Sequence, residues 1–195
     1  MLTLNEVSVR FDQKPVLNRC SLQLGKGQRI ALMGPSGCGK TTLARVALSL
    51  QMPDSGSVSC GFRRVAAVFQ EPRLLPWATA AENVNLVLSD SAETMPAVRT
   101  WLERLELGDA AGLYPAALSG GMQQRLSIAR ALSARPELIV MDEPFKAMDE
   151  ALRARILHVT VDCLDNTALL LITHSEQEAL ALDCRILRWH DGRFI

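Results

Sequence analysis

The segment that most constrains this chain is the apolar run Arg29-Ile-Ala-Leu-Met33, which enters the loop Gly34-Pro-Ser-Gly-Cys-Gly-Lys-Thr41. The loop fits G-x-x-x-x-G-K-[ST] in full, and helix formers dominate from 40 to about 50, until Pro53-Asp-Ser-Gly56 stops them. A strand, a glycine loop and a helix in that order can be arranged in few ways. Gly34, Gly37 and Gly39 permit dihedrals closed to other residues and let backbone N–H groups turn toward a phosphate. The helix start adds its positive dipole end. Lys40 can reach β and γ phosphates and the Thr41 hydroxyl suits Mg²⁺, while Pro35, Ser36, Cys38 and Thr42 complete the cradle. The loop alone does not separate nucleotide kinases, GTPases, helicase-like motors and transport ATPases.

The remaining pattern supplies a sheet for that loop. Leu2, Leu4, Val7 and Val9 are apolar among polar neighbours, and Val16-Leu17 with Leu22 and Leu24 suggests a second strand after the turn at 12–15. Val65-Ala-Ala-Val-Phe69, Leu138-Ile-Val-Met141 and Ala168-Leu-Leu-Leu-Ile-Thr173 are continuous apolar runs, as fully buried parallel strands should be. Residues 80–107 read as broken helix. A further helix runs from about 122 to 135, with Leu126, Ala129 and Leu132 on one face and Pro136 at its close. Asp191-Gly192 marks a hairpin near the end. Strands alternating with helices predict an α/β fold with a mainly parallel core sheet.

Polar residues end three of the apolar runs. In an open parallel sheet, ligands sit beyond the carboxyl ends of strands. Asp142 is thereby suited to hold a magnesium shell through water, and Glu143 to position or deprotonate an attacking water. His174 could donate to a γ-phosphate oxygen, and Gln70 could touch the metal or the water. Acids favoured by a helix dipole would account for the same acidic pair.

Composition narrows the partners. The 195 residues carry a formal net charge of zero with no Lys/Arg-rich run, which argues against a nucleic-acid partner. No apolar stretch approaches the roughly 20 residues of a membrane span, and the first residues lack the pattern of a secretory signal. Five scattered cysteines without a CxxC pair are expected to be reduced thiols in a cytosolic protein, and His158, His174 and His190 are too dispersed to suggest a metal site.

Leu118-Ser-Gly-Gly-Met-Gln-Gln-Arg125 is a second glycine-bearing loop opening a helix. On physical grounds it is either another anion site or simply Ser119 as a helix cap with two glycines behind it. The order of all these motifs resembles the ATP-binding-cassette (ABC) ATPase family over essentially the whole chain. Residues 34–41 match its phosphate loop, Gln70 its glutamine loop, and 118–123 its LSGGQ stretch with Met122 where Gln is commonest. Residues 138–143 match its Asp-bearing strand with adjacent catalytic Glu, and His174 its switch histidine. Lys146-Ala-Met-Asp149 stands where S-A-L-D is usual, and Phe11 matches the aromatic that stacks on adenine, with core packing as its alternative role.

The resemblance implies a phosphate-loop NTPase over 1–195, with a small antiparallel β-subdomain and a helical subdomain inserted at roughly 72–135. It implies ATP and Mg²⁺ as ligands and a head-to-tail pair of copies, in which Ser119, Gly120, Gly121 and Asp149 act across the seam on the partner's nucleotide. Val68-Phe-Gln-Glu-Pro-Arg-Leu-Leu-Pro-Trp77 followed by Glu82-Asn83-Val84 looks like the nitrate, sulfonate and taurine importers. That branch implies a membrane permease contacting the 70–84 region through Leu74, Leu75 and Trp77, with Glu71 and Arg73 on the rim. Packing of that loop within its own subdomain is the competing role. It also implies a solute-binding protein acting indirectly, and a location on the cytoplasmic face of the inner membrane.

This sequence departs from the pattern by being short. A compressed β-hairpin is expected between Gly56 and Val68, turning at Cys60-Gly61-Phe62, and no C-terminal regulatory domain is expected after Ile195. The alternatives are an exporter or lipid-extraction ATPase, a soluble ABC ATPase outside transport, and a nucleotide kinase.

Overall fold

A computed structural model describes residues 1–12, 14–88, 94–190 and 193–194. Two sheets organise the chain. Strands β1 (Leu2–Phe11), β2 (Lys14–Leu24) and β4 (Ser55–Cys60) form a three-stranded antiparallel sheet in the order β2-β1-β4. Strands β3 (Arg29–Met33), β5 (Val65–Val68), β6 (Leu138–Asp142), β7 (Ala168–Ile172), β8 (Arg185–His190) and β9 (Arg193–Phe194) form the second, in the order β5-β6-β7-β3-β8-β9. Its first five strands are parallel and β9 returns antiparallel to β8. The Asp191-Gly192 turn between those two lies outside the described residues.

The apolar spacing of β1 explains its shape. Leu2, Leu4, Val7 and Val9 are all buried, although the step from 4 to 7 breaks a two-residue period. The pairing with β2 shifts register between Leu4 and Val7, and Glu6 takes φ 48° there. The extra residue is absorbed as a bulge, which keeps all four side chains on the inner face.

Helix α1 (Lys40–Ala47) packs between the two sheets. Ile30 and Leu32, Leu138 and Val140, and Ala168, Leu170 and Ile172 face it in one core. The intervening residues Ala31, Ile139, Met141, Leu169 and Leu171 face a second core under the other helices. Both faces of the parallel sheet are therefore covered, which is why its strands read as unbroken apolar runs. Helix α1 stops at Ala47 rather than near Leu50, because Ser49 adopts φ 56° and breaks the helical path.

The second core is roofed by α2 (Ala80–Asn85), α3 (Thr94–Arg104), α4 (Gly120–Ser133) and α5 (Glu150–Cys163). Thr79 and Glu82 form a reciprocal capping box at the start of α2. Leu126, Ala129 and Leu132 of α4 are buried as expected. The last helix, α6 (Glu176–Ala181), joins β7 to β8. No helix among the described residues is long and apolar enough to cross a membrane.

The expected hairpin at 56–68 does not form. Strand β4 pairs with β1, whereas β5 pairs parallel with β6, so residues 61–64 bridge the two sheets instead of turning back. The Gly61 N–H donates to the Met1 carbonyl at 2.9 Å, and Glu137 N donates to the Arg64 carbonyl at 2.8 Å. Composition accounts for this. Ser55-Gly-Ser-Val-Ser-Cys60 is almost wholly polar or small and exposed, fit for an edge, while the Val65–Val68 run belongs beside a buried strand.

Candidate active site

The carboxyl ends of β3, β5, β6 and β7 share one edge of the parallel sheet, and there Gly34, Gln70, Asp142, Glu143 and His174 emerge. A cavity of about 430 Å³ opens on this edge. Its walls include Ser36, Gly37, Gly39, Lys40, Thr41 and Thr42 from the glycine loop, together with Phe11, Gln70, Asp142, Glu143 and His174. Residues spread over more than 160 positions in sequence are thus brought to one place by strand order alone.

The glycine loop is held tightly. Gly39 caps α1 at φ 111°, and a Cβ there would meet the Val16 carbonyl oxygen at 2.9 Å. Both the dihedral and the space demand glycine. Lys40 is buried, with Nζ donating to the carbonyls of Gly34 and Pro35 at 2.8 Å each and standing 3.6 Å from Cys38 Sγ. The ammonium therefore braces the loop from within, in position to turn toward an anion seated over it.

On the facing side, Thr41 Oγ1 donates to Asp142 Oδ2 at 2.7 Å. Asp142 is the last residue of β6 and is buried. Glu143 then takes φ 50°, a conformation uncommon for a residue with a side chain. This turn leaves its side chain only 13% exposed beside His174, whose Nε2 lies 3.0 Å from Glu143 Oε1. That contact is close enough for an ion pair but is not aligned as a hydrogen bond, and Oε1 accepts no hydrogen bond among the described residues. Burial raises the Glu143 carboxyl above its ordinary range, His174 pulls it back, Glu178 and Asp142 raise it further, and Lys146 lowers it. A carboxylate so placed, largely buried and with its charge disfavoured, suits a proton-accepting role.

Phe11 ends β1 at 49% exposure and faces the cavity, so it does not serve the core. Val16, Lys146 and Ile172 also line the cavity. Sequence reading did not assign them to the site. Lys146, noted only as a departure from the pattern, is a cation three residues past Glu143 and influences its charge.

Ser119, Gly120, Gly121 and Asp149 do not line this cavity. Ser119 caps α4 by accepting from Met122 N at 3.2 Å, and Asp149 caps α5 by accepting from Leu152 N at 2.9 Å. The two caps are neighbours, because a Cβ on Gly121 would lie 2.9 Å from the Ala147 carbonyl oxygen. The chain thus gathers one group of predicted residues around the cavity and a second group on a separate, exposed pair of helix starts.

The 70–84 loop is pinned from beneath. Buried Asn83 accepts from Leu75 N at 2.9 Å and donates to the carbonyls of Leu75, Ala78 and Thr79. Arg130 of α4 donates to the carbonyls of Pro72 and Arg73. Leu74 packs against the helical core, while Trp77 projects with 74% of its surface exposed.

Comparison with known proteins agrees with this layout. The family described as ABC transporter matches residues 17–146. The chain is 40% identical over 195 residues to the aliphatic sulfonates import ATP-binding protein SsuB of Granulibacter bethesdensis, covering 99% of this chain and 81% of that protein. It is 37% identical over 196 residues to SsuB 2 of Burkholderia lata, covering 96% of this chain and 72% of that protein. Among solved structures, a dimeric post-hydrolysis ATP-binding cassette bound to ADP and Pi superposes with a TM-score of 0.90 at 28% identity, covering 100% of this chain and 96% of that one. With the phosphate loop, the strand-end acids and the SGG helix start in family order, and with relatives aligned along nearly its full length, this chain belongs to the ABC transporter family of ATP-hydrolysing cassettes.

Proposed function

We propose that the chain is the ATPase subunit of an importer for small anionic solutes of the aliphatic sulfonate type, working as a pair of copies beneath a membrane permease. The observation that carries this reading is the cavity at the sheet edge, in a chain that aligns over 99% of its length with a sulfonate import ATP-binding protein. Relatives of that kind do not favour the exporter, soluble or kinase alternatives.

ATP would lie with its phosphates on residues 34–42 and its adenine against Phe11. Lys40 would exchange its two loop carbonyls for β and γ phosphate oxygens. A magnesium ion fits the oxygen set of Thr41 Oγ1, the Asp142 carboxylate acting through water, and the Gln70 amide, all hard donors. When bound, it would neutralise charge on the phosphates. Glu143 would take a proton from the attacking water on its carboxylate, and His174 would donate to the γ-phosphate. Ser119, Gly120, Gly121 and Asp149 of a second copy would close the site, since each half lies apart within one chain. Trp77 on its braced loop would meet the permease on the cytoplasmic side of the membrane.

The test is reconstitution with a permease and its solute-binding protein, measuring ATP hydrolysis as solutes are varied. Aliphatic sulfonates without an amino group should stimulate phosphate release, with nitrate and the aminosulfonate taurine as comparison solutes. Stimulation by none of the three would remove the importer reading, and stimulation by nitrate alone would reassign the solute.

A further inference from the structure

One buried carboxylate lies outside the cavity lining and touches the chemistry above only through its charge, which raises the Glu143 carboxyl. Glu178, in α6, is 5% exposed and sits behind the turn that carries His174. Ser175-Glu-Gln-Glu178 has the spacing of a capping box, in which the glutamate would reach back to the Ser175 N–H. Only half of that box forms, with Glu178 N donating to Ser175 Oγ at 3.3 Å. The Ser175 N–H donates instead to Thr173 Oγ1 at 3.1 Å, and the Thr173 hydroxyl donates onward to Glu178 Oε2. Thr173 and Ser175 flank His174, so one carboxylate fixes the backbone on both sides of the histidine. The other oxygen, Oε1, stands 3.8 Å from Arg153 Nη1 on α5, whose own N–H donates to the Asp149 carbonyl at 2.9 Å.

We infer that Glu178 is a positioning residue for His174: through the Thr173 hydroxyl it locks the histidine turn, and through Arg153 it ties that turn to α5, the helix that Asp149 caps. Burying a carboxylate is costly unless it is hydrogen-bonded or paired, and here the hydrogen bond comes from the turn that carries His174 and the charge partner is Arg153. His174 itself is half exposed, and among the described residues its ring is steadied by the contact to Glu143 alone, so the accuracy of its placement depends on the backbone beneath it. This inference rests on the reading of His174 as the γ-phosphate donor.

The test uses the full chain, with ATP turnover at varied ATP and amide exchange at Ser175 as readouts. Glu178→Ala should lower kcat on the order of tenfold to a hundredfold with KM for ATP unchanged, as a misplaced catalytic group does. The Ser175 amide should exchange faster. Thr173→Val, which keeps the shape but removes the relay hydroxyl, should reproduce both effects. Glu178→Gln, which retains an oxygen to accept from Thr173, should recover most of the turnover. Wild-type kcat in Glu178→Ala, a loss carried by KM, or a harmless Thr173→Val would overturn the inference. If His174→Ala turns over normally, the reading of His174 fails. If His174→Ala is inactive while Glu178→Ala is unimpaired, only the positioning role fails.

Discussion

The two predicted halves of the site are built in opposite ways. Around the cavity, polar groups are buried: Lys40 inside its own loop, Asp142 bonded across to Thr41, and Glu143 at φ 50° with its charge disfavoured by burial. At the starts of α4 and α5, Ser119 and Asp149 make ordinary cap bonds on the surface and carry no strain in their dihedrals. In the first arrangement Lys40 and Asp142 are satisfied within the chain, and the unfavourable element is the buried charge of Glu143. The second is stable as it stands, and any role in catalysis must come from something that approaches it from outside. Function is therefore written into the first half as tension and into the second only as exposure.

The largest effect should come from the strained half. Glu143→Gln should cut turnover by roughly 10²- to 10⁴-fold, the range a general base contributes, while nucleotide binding persists. With ATP bound and not hydrolysed, that variant should also run as a dimer on gel filtration. Unchanged turnover would remove Glu143 from the role of base. The exposed half can be probed by Gly121→Ala, which drives a methyl to within 2.9 Å of the Ala147 carbonyl and displaces the two caps. Turnover should fall on the order of tenfold or more, while a single copy's affinity for ATP stays as it was. Equal weakening of ATP binding would mean that the two halves are not independent, and the contrast would break.

How much of this was legible in sequence follows the same division. The loop at 34–41 and the strand-end acids could be read because their chemistry requires particular residues at fixed spacing, and parallel topology delivers strand ends to one edge. Ser119 could be read as a cap or as part of an anion site, and only the resemblance in motif order favoured the second. The mistaken hairpin at 56–68 arose because a local turn signal at Gly61 says nothing about which sheet each flanking strand joins. That choice was settled at long range, by β1 and β6. Glu178 was overlooked for a related reason, since its partner is two residues from where the capping-box rule looks.

A smaller effect is expected at the adenine end. Phe11→Ala should weaken ATP binding by about 1 kcal/mol, near fivefold, the lower end for stacking an aromatic on a base. Titration with a fluorescent nucleotide measures this. Because the ring is half exposed, thermal stability should hardly move, and a large drop in Tm would return Phe11 to a packing role.

The smallest effect bears most directly on the contrast, because it concerns the empty chain. Glu143 has its carboxyl raised in the folded state, chiefly by burial, so the folded protein holds that proton more tightly than the unfolded chain does. Between the ordinary carboxyl value and the raised one, stability must then fall as pH rises, and above that window the ionised group is a standing penalty. Glu143→Gln, measured without nucleotide or magnesium, should therefore melt higher than wild type at neutral pH. The difference should shrink as pH falls through the window and vanish below it. Ser119→Ala should behave oppositely, losing about 1 kcal/mol of cap energy, or about 2–4 °C in Tm, equally at every pH. If Glu143→Gln instead melts lower at neutral pH, the pull of His174 outweighs burial, and the active half is as settled without its ligand as the surface caps are.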